Sequence, residues 1–208
     1  MQQQQSRNWT VDDAEWWDNL YQSKRTPWDL GKPAPPLETY LKSPYAVAPG
    51  KIAVLGCGNG HDCMPFVRAG FAVTGIDFAP TAIASTHAKF EAAGVSGKTG
   101  FLLQRDVFNV HEYDGYYDYV LDHCFFSAID PSRRRTYVMT ASDLLKPNGK
   151  LISLWWIIAN KQGPPFATAK DDIYELFDAK FKIEIAYAPT DSVKPRAGQE
   201  FITVMTKR

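Results

Sequence analysis

The segment Ile52-Ala-Val-Leu-Gly-Cys-Gly-Asn-Gly60 joins a short apolar run to a turn that contains three glycines. The run is typical of a buried parallel strand, which is covered on both faces. Glycines permit tight backbone turns and the close approach of a ligand, and a helix that follows such a turn offers free backbone N–H groups. The segment therefore predicts a ligand site at the carboxyl end of the first strand of an α/β sheet.

The spacing of these glycines argues against a dinucleotide as the ligand. A dinucleotide-binding turn has the pattern G-x-G-x-x-G, in which the third glycine lets helix and strand pack closely. Counted from Gly56, the third glycine would stand at position 61, where this chain has His61. The pattern G-x-G-x-G makes pyrophosphate binding the weaker interpretation and favours an adenosine that carries no phosphate.

Apolar segments alternate with helical ones along most of the chain. Strands are predicted for residues 52–55, 72–76, 101–103, 117–121, 150–158, 181–187 and 201–206. Helices are predicted for residues 9–23, 37–42, 61–69, 80–93, 131–145 and 170–178. Strands that alternate with helices form right-handed crossover units, so the predicted fold is an α/β fold with a mainly parallel sheet flanked by helices. The last two strands lack a helix between them and are predicted to be antiparallel.

Acidic residues stand at the ends of three predicted strands. Asp77 ends the second strand, Asp106 follows the third, and Asp122 ends the fourth. The carboxyl ends of parallel strands meet at the edge where α/β sheets bind their ligands. Asp77 is suited to accept hydrogen bonds from both ribose hydroxyls, and Asp106 from the exocyclic amine of an adenine. Each acid alone is equally well explained as a helix cap or turn residue, but together with the glycine turn they indicate an adenosine site.

Composition and charge exclude several classes of protein. The chain has 208 residues, 45% of them hydrophobic, which fits one globular domain. Its 23 basic and 23 acidic residues cancel, so no field attracts nucleic acid or an anionic membrane. The apolar stretches are too short to span a bilayer, and the Gln-rich beginning has no signal-peptide core. We expect a disordered polar tail over 1–8, a single domain over 9–208, a cytoplasmic location, and neither a nucleic-acid nor a membrane partner.

Cysteine and histidine usage points to a reduced protein without a metal. Three cysteines are an odd number and do not suggest a disulfide framework. The three cysteines and four histidines show no zinc-binding spacing, so no metal is expected. Cys57 and Cys124 are interpreted as small packing residues.

Several motifs together resemble a known family. The glycine turn, Asp77, Asp106 and the Leu145-Lys-Pro-Asn-Gly149 turn resemble the class I S-adenosylmethionine-dependent methyltransferases. Nearly all of the chain after the Gln-rich tail resembles, more narrowly, the thiopurine methyltransferase superfamily, and within it most of all the halide/thiol methyltransferases. That resemblance is carried by Trp17 with Thr26-Pro-Trp-Asp-Leu-Gly31, Gly58-Asn-Gly-His-Asp62, Asp118-Tyr-Val-Leu-Asp122, Phe126-Ser-Ala-Ile129, Gly163-Pro-Pro165 and Arg196-Ala-Gly-Gln-Glu200.

The resemblance implies a Rossmann-like, seven-stranded, mainly parallel sheet whose last strand is antiparallel. The cofactor S-adenosylmethionine would lie across its carboxyl edge, under an N-terminal helical lid over residues 9–42. By position, the implied cofactor-binding residues are Trp17, Trp28, Gly31, Gly56, Gly58, Asp77, Asp106, Val107 and Asp122. The aromatic faces of Trp17 and Trp28 can stabilise a sulfonium cation and exclude water. The alternative is that these two tryptophans only dock the N-terminal segment onto the core.

The acceptor site is predicted in the loops after the fourth and fifth strands. Its candidate residues are Phe125, Phe126, Trp156, Pro164, Phe166 and Arg196, the last as a contact for an anion. Because residues alternate along a strand, Trp155 and Trp156 cannot face the same way. Position favours Trp156 for the site, where halide/thiol enzymes often carry a tyrosine. His123 is the one candidate base and is equally well explained as a turn histidine, and Arg133-Arg134-Arg135 is interpreted as the solvated start of a helix.

The sequence thus predicts in-line transfer of a methyl group to a small soft nucleophile, namely a thiol, bisulfide or a halide. Such acceptors arrive as anions and need no strong base. A second hypothesis keeps the cofactor but uses an aromatic thiol, a selenium or tellurium compound, or a natural-product hydroxyl. A third is a regulatory module that binds the cofactor without turnover. We expect a small-molecule partner and a monomer or weak dimer.

Overall fold

Seven strands form one sheet. They are β1 (Lys51–Leu55), β2 (Ala72–Asp77), β3 (Gly100–Gln104), β4 (Tyr117–His123), β5 (Leu145–Trp156), β6 (Phe181–Tyr187) and β7 (Glu200–Lys207). The computed structural model describes residues 10–95, 97–159 and 162–208, so the polar tail predicted over 1–8 lies outside the described residues.

Helices cover the sheet and its carboxyl edge. They are α1 (Ala14–Gln22), α2 (Pro35–Lys42), α3 (Cys63–Arg68), α4 (Pro80–Ala92), α5 (Phe125–Ala128), α6 (Arg134–Leu144) and α7 (Lys170–Phe177). Within the described part of the chain, none of them has both the length and the apolar character needed to cross a bilayer.

The strand order is β3-β2-β1-β4-β5-β7-β6. In this spatial order, the first five strands, β3, β2, β1, β4 and β5, pair in parallel. In contrast, β7 is antiparallel to both β5 and β6. The prediction of a mainly parallel sheet with an antiparallel last strand is therefore confirmed. The chain runs outward from β1 through β2 to β3 and then returns to β4 on the other side of β1. This reversal between β1 and β4 opens a crevice at their carboxyl ends, where α/β sheets bind ligands.

Alternate residues of β1 belong to two hydrophobic layers. Ile52 and Val54 pack with residues of α2, α3 and α4, whereas Ala53 and Leu55 pack with residues of α5, α6 and α7. Because successive side chains of a strand point to opposite faces, both faces of the sheet are covered. This explains why β1 reads as a continuous apolar run instead of an alternating one.

Some helix boundaries differ from the prediction for local reasons. The backbone N–H of Thr10 donates to Asp13 Oδ2 at 2.8 Å, but this pair closes a turn, and α1 begins only at Ala14 with Asp13 as its N-cap. The helix predicted from residue 61 begins at Cys63, because the glycine turn continues through Asp62. The one-turn helix α5 was not predicted from the sequence.

Candidate active site

A cleft of about 1220 Å³, counted with its open mouth, runs along the carboxyl ends of β1 to β5. Residues from Val11 to Lys32 cover one side of it, and loops that follow the strands form the rest. The sequence-predicted residues that line it are Trp17, Trp28, Gly56, Gly58, Asp77, Asp106, Val107, His123, Phe125, Trp156 and Pro164. Of the segment predicted as a lid over 9–42, α2 lies in the core instead, since Leu37 and Tyr40 are fully buried.

The glycine turn has no room for side chains at Gly56 and Gly58, or at Gly60, where a Cβ atom would overlap Thr86. Gly56 and Gly58 have φ angles of 57° and 53°, in the region that L-residues rarely adopt. A Cβ atom on Gly56 would overlap the ring of Phe125, and one on Gly58 would lie 2.9 Å from the Tyr21 hydroxyl. The turn is thus packed against both walls of the cleft, and only glycine fits at these positions.

Asp77 connects the end of β2 to the glycine turn. Its Oδ2 accepts from the backbone N–H of Gly58 and its Oδ1 from that of Ala79, both at 2.9 Å. Burial raises the pKa of Asp77 to about 6, although the N–H groups of Ala79 and Gly58 lower it. Each carboxylate oxygen has a second lone pair, so Asp77 can hold the turn and still accept hydrogen bonds from a ligand in the cleft.

Beyond the end of β3 the cleft is lined by Asp106 and Val107, which were predicted to bind an adenine. Asp106 Oδ1 accepts from the backbone N–H of Phe108 at 3.0 Å. The guanidinium of Arg133 lies 3.8 Å from the centre of the Phe108 ring and pairs with Asp12 of the N-terminal segment. Arg133 is therefore part of the cleft wall, which corrects its interpretation as a solvated residue.

The prediction that the next arginine, Arg134, is solvated is also wrong. Arg134 is buried and donates from Nη2 to the carbonyl oxygen of Ala167 at 2.7 Å. It supports the loop that contains Pro164. Arg135 alone is exposed, as predicted for the start of a solvated helix.

Three aromatic side chains, which we call the aromatic lid, close over the glycine turn. They are Trp17, Tyr21 and Trp28, and the Trp28 ring meets the other two edge-to-face at centroid distances of 5.2 and 5.9 Å. Trp17 Nε1 donates to the carbonyl oxygen of Val11 at 2.8 Å. Burial, together with the nearby charge of Asp77, raises the pKa of Tyr21 well above its usual range. Tyr21 therefore stays a neutral phenol at the roof of the cleft.

The Asp29 carboxylate ties the lid to the glycine turn. It accepts from Asn59 Nδ2, lies 3.2 Å from His61 Nε2, and accepts from the backbone N–H of Gly31 at 2.7 Å. Gly31 is exposed and does not line the cleft. Its φ of 66° turns the backbone so that its N–H reaches Asp29. Gly31 was predicted to contact the cofactor, but this turn explains structurally why a glycine stands here.

A partly buried polar network lies at the end of β4. His123 Nδ1 is 2.6 Å from Asp62 Oδ2, and His123 Nε2 is 2.8 Å from Arg196 Nη1. A guanidinium only donates, so Nε2 accepts and the ring carries its proton on Nδ1, toward Asp62. A second ring proton would face the N–H of Arg196, so protonation of His123 would break that contact.

Arg196 is also placed differently from the prediction. It is 2% exposed and does not line the cleft. Besides His123, it donates to the carbonyl oxygen of Trp28 at 2.7 Å and lies near Glu200 Oε1 at 3.5 Å. Both of its terminal nitrogens are therefore bound by the protein, outside the lining of the cleft.

Asp122 lies outside the cleft as well. Its carboxylate accepts from the backbone N–H groups of Phe125 and Phe126 at 3.1 Å and from the Tyr137 hydroxyl at 2.6 Å. Burial raises its pKa to about 6, against the effect of the Tyr137 hydrogen bond. The structure thus places Asp122 at the start of α5, which it caps, and not beside a ligand. By fixing α5, it directs Phe125 into the cleft.

The predicted acceptor residues divide into two groups. Phe125, Trp156 and Pro164 line the cleft, and we call them the acceptor wall. Phe126 is 1% exposed and packs against Trp155 in the core. The side chain of Phe166 does not line the cleft, and its backbone N–H donates to the carbonyl oxygen of Ser127 at 2.7 Å. Trp155 is buried and Trp156 is half-buried at the cleft, as the alternation of a strand requires.

Sequence reasoning missed several residues of this site. Tyr21 is four positions after Trp17, on the same face of α1, and that spacing would have found it. Asp62 belongs to the Gly58–Asp62 motif but was assigned no role. Phe108 and Arg133 gave no local signal for a role in the site, because the contact between them depends on how the turn before α6 packs against the segment after β3.

Comparisons with known proteins agree with this geometry. The family model described as thiopurine S-methyltransferase matches residues 12–208. Thiocyanate methyltransferase 1 and probable thiol methyltransferase 2 of Arabidopsis thaliana are each 30% identical to this chain, covering 88% of it and 81% of their own length. A solved structure described by the conversion of a disulfide bond into a thioacetal group during echinomycin biosynthesis matches with a TM-score of 0.77 and 21% identity, covering 94% of this chain and 93% of its own. The last likeness shows the fold.

Proposed function

Since this chain belongs to the thiopurine S-methyltransferase family and is an S-adenosylmethionine-dependent methyltransferase, we propose that its acceptor is a small soft nucleophile, first of all a thiol. The observation that carries this proposal is one cleft in which the aromatic lid faces an apolar acceptor wall across the glycine turn. The two relatives named for thiocyanate and for thiols support a sulfur nucleophile.

We infer that the cofactor lies along the carboxyl ends of β1, β2 and β3. Gly56 and Gly58 line the cleft and, as in the family that the motifs resemble, would contact its methionine part. Asp77 would accept from the ribose hydroxyls with its free lone pairs, and Asp106 with Val107 would hold the adenine. Trp17 and Trp28 would cover the sulfonium. The residues present fit the group: glycines where the backbone must approach it, a carboxylate for the hydroxyls, and aromatic faces near the cation.

When bound, the cofactor supplies a methyl group that is already activated by a positively charged sulfur. The protein has to align the nucleophile with that methyl group, exclude water and hold both partners together. The aromatic lid excludes water from one side, and Phe125 and Trp156 do so from the other. The ring faces of Trp17 and Trp28 stabilise positive charge. Direct transfer of the methyl group in this way needs no covalent intermediate with the enzyme.

No residue of the cleft is assigned as a base. His123 is the candidate from the sequence, but its Nε2 accepts a hydrogen bond from Arg196 and its Nδ1 proton points to Asp62. An acceptor that arrives as a thiolate or another soft anion loses no proton during the transfer. A neutral hydroxyl acceptor would need a base, which disfavours natural-product hydroxyls.

Aromatic thiols are a second class of acceptor that the geometry supports. Trp156 and Phe125 both present aromatic side chains at the acceptor wall, and flat rings stack on such surfaces with a gain of about 0.5–1.5 kcal/mol. An aromatic thiol therefore gains binding energy that bisulfide or a halide does not.

The acceptor is tested by incubating the protein with S-adenosylmethionine and a panel of bisulfide, aliphatic thiols, thiophenols, thiocyanate, iodide and phenols, with headspace gas chromatography and mass spectrometry as the readout. We expect the thiols to be methylated fastest and the phenols not at all. Binding of S-adenosylhomocysteine without methylation of any acceptor would favour the regulatory-module hypothesis. Methylation of phenols alone would contradict a soft nucleophile.

We further propose that one domain over residues 9–208 works in the cytoplasm as a monomer or weak dimer, on a small molecule and without a nucleic-acid or membrane partner. The balance of 23 basic and 23 acidic residues supports this, since it provides no field for polyanions. Light scattering after gel filtration measures the oligomeric state, and a stable higher oligomer would contradict this part of the proposal.

A further inference from the structure

The guanidinium of Arg196 contacts both the lid and the acceptor wall. Its Nη2 donates to the carbonyl oxygen of Trp28 at 2.7 Å, although the two residues are 168 positions apart in the sequence. Its central carbon lies 4.5 Å from the centre of the Trp156 ring. One buried side chain thus joins the aromatic lid to the acceptor wall from behind the cleft.

The position of this guanidinium is fixed by its other contacts. Nη1 donates to His123 Nε2 at 2.8 Å and to Cys124 Sγ at 3.3 Å, and it lies 3.5 Å from Glu200 Oε1. His123 is itself held by Asp62 at 2.6 Å. A planar guanidinium that is bound through both terminal nitrogens cannot turn toward the cleft without losing these contacts. This argues against a free anion-binding role for Arg196.

We propose that Arg196 is a positioning residue that latches Trp28 over the cleft and keeps Trp156 in place opposite it. This inference rests on the proposed function, because it assumes that the cofactor lies under the lid and the acceptor against Trp156. A charge-assisted hydrogen bond in a buried site is stronger than a neutral one, so the closed position of Trp28 depends on Arg196. The latch sets the separation between the methyl donor and the acceptor, to which in-line transfer is sensitive.

The test compares three variants. The double variant Arg196→Met/Glu200→Gln removes the guanidinium together with the carboxylate beside it, so that no unpaired buried charge remains there. Arg196→Lys keeps the charge but lacks the planar fork that reaches several acceptors at once. Arg208→Met is the matched control: Arg208 also donates to a backbone carbonyl, that of Phe181 at 3.1 Å, but at the amino end of β6, away from the cleft.

Two measurements separate a latch from other roles. Amide hydrogen exchange of residues 26–31 in the ligand-free protein reports whether the Trp28 loop is held, and calorimetry reports the affinity for S-adenosylhomocysteine. For the double variant we expect exchange to be at least about tenfold faster and affinity at least about tenfold weaker, as for a lost charged hydrogen bond. Arg196→Lys should lie between it and the wild type, and Arg208→Met should match the wild type.

Three results would overturn the latch. If the double variant keeps the wild-type amide exchange and affinity but has a raised KM for anionic thiols alone, Arg196 contacts the acceptor. A lower urea midpoint with unchanged exchange and affinity would mean that Arg196 is only structural. If the double variant does not fold, wild-type values for both measurements in Arg196→Lys decide against the proposal. Failure of the wild type to bind S-adenosylhomocysteine would contradict the proposed function instead, and exchange in the free protein would still decide the latch.

Discussion

Replacement of Asp77 by asparagine should weaken the binding of S-adenosylhomocysteine by about 10- to 150-fold, since a hydrogen bond to a charged group contributes about 1.5–3 kcal/mol. Both carboxylate oxygens already accept a backbone N–H at 2.9 Å, from Gly58 and Ala79. Asparagine has only one oxygen to offer, so its NH₂ group must face one of these N–H groups or the ribose hydroxyls. The variant therefore loses ligand contacts and also loosens the glycine turn.

The same substitution should change how stability depends on pH. The pKa of Asp77 is raised by burial to about 6 from the usual 3.8, which corresponds to about 3 kcal/mol. Between these two pH values the folded protein binds the proton more tightly than the unfolded chain. The contribution of this group to the free energy of unfolding therefore falls as the pH rises from about 4 to 6. Asp77→Asn should remove this fall, while the similar contribution of Asp122, whose pKa is also about 6, remains.

Calorimetry with S-adenosylhomocysteine at pH 7.5 and urea denaturation at pH 5 and 7.5 measure both effects. Asp118→Asn is the matched control: Asp118 also accepts a backbone N–H, that of Lys51 at 2.8 Å, but it lies near the amino end of β4. It should bind S-adenosylhomocysteine like the wild type. An affinity of Asp77→Asn within twofold of the wild type would refute the ribose role and leave Asp77 only as the support of the turn.

The remaining predictions concern the lid, the turn and the acceptor wall. Trp28→Ala should leave the protein folded but weaken S-adenosylmethionine binding at least about fivefold, as expected for a lost cation–π contact of about 1 kcal/mol or more with the sulfonium; unchanged affinity in calorimetry would make Trp28 a packing residue only. Gly58→Ala should lose about 1–2 kcal/mol of stability through its left-handed backbone and also lose binding, because its Cβ would lie 2.9 Å from the Tyr21 hydroxyl. Gly94 is the control, because its φ is 66° and a Cβ atom there would have no atom within 4 Å. Gly94→Ala should lose stability in a urea titration but keep binding of S-adenosylhomocysteine. Equal binding by Gly58→Ala and Gly94→Ala would contradict the contact with Tyr21. Trp156→Ala should raise the KM for thiophenol several-fold more than that for bisulfide and leave the affinity for S-adenosylhomocysteine unchanged, so equal KM changes would contradict its place in the acceptor wall.

The topology of the sheet was predictable because its causes are local. Apolar runs such as 52–55 and the helical segments between them alternate along the chain, and that alternation leaves few possible arrangements of a parallel sheet. The antiparallel pairing of β6 and β7 was predicted because the sequence between them shows no α-helix long enough for a crossover connection. The predicted start of α1 was wrong. Thr10 and Asp13 have the spacing of a pair that caps a helix, yet here they close a separate turn before the helix.

The site was predictable where it depends on the ends of strands and unpredictable where it depends on long-range packing. Asp77 and Gly58 lie in the cleft because β1 and β2 are neighbours with parallel ends. Asp122 also ends a strand, but its carboxylate turns to the backbone of α5, a helix that no pattern indicated. Arg133 was predicted to be solvated and Arg196 to contact an anion in the acceptor site, and only tertiary contacts show one against Phe108 and the other behind Trp156.

The contacts of the lid indicate which part of it can move. Trp17 is anchored in a small apolar cluster with Ala79 and Ala82, so its displacement would expose buried surface at a cost of about 1.5–3 kcal/mol. Trp28 is half-buried at the edge of this cluster, and its loop is also held by polar links from Asp29 to the glycine turn and from Arg196 to the Trp28 carbonyl. Hydrogen bonds of this kind contribute about 0.5–3 kcal/mol each and exchange readily with water once they open. We therefore expect the Trp28 loop to open for entry of the cofactor and release of the product while α1 stays docked, which would place the proposed latch on Trp28 and not on Trp17.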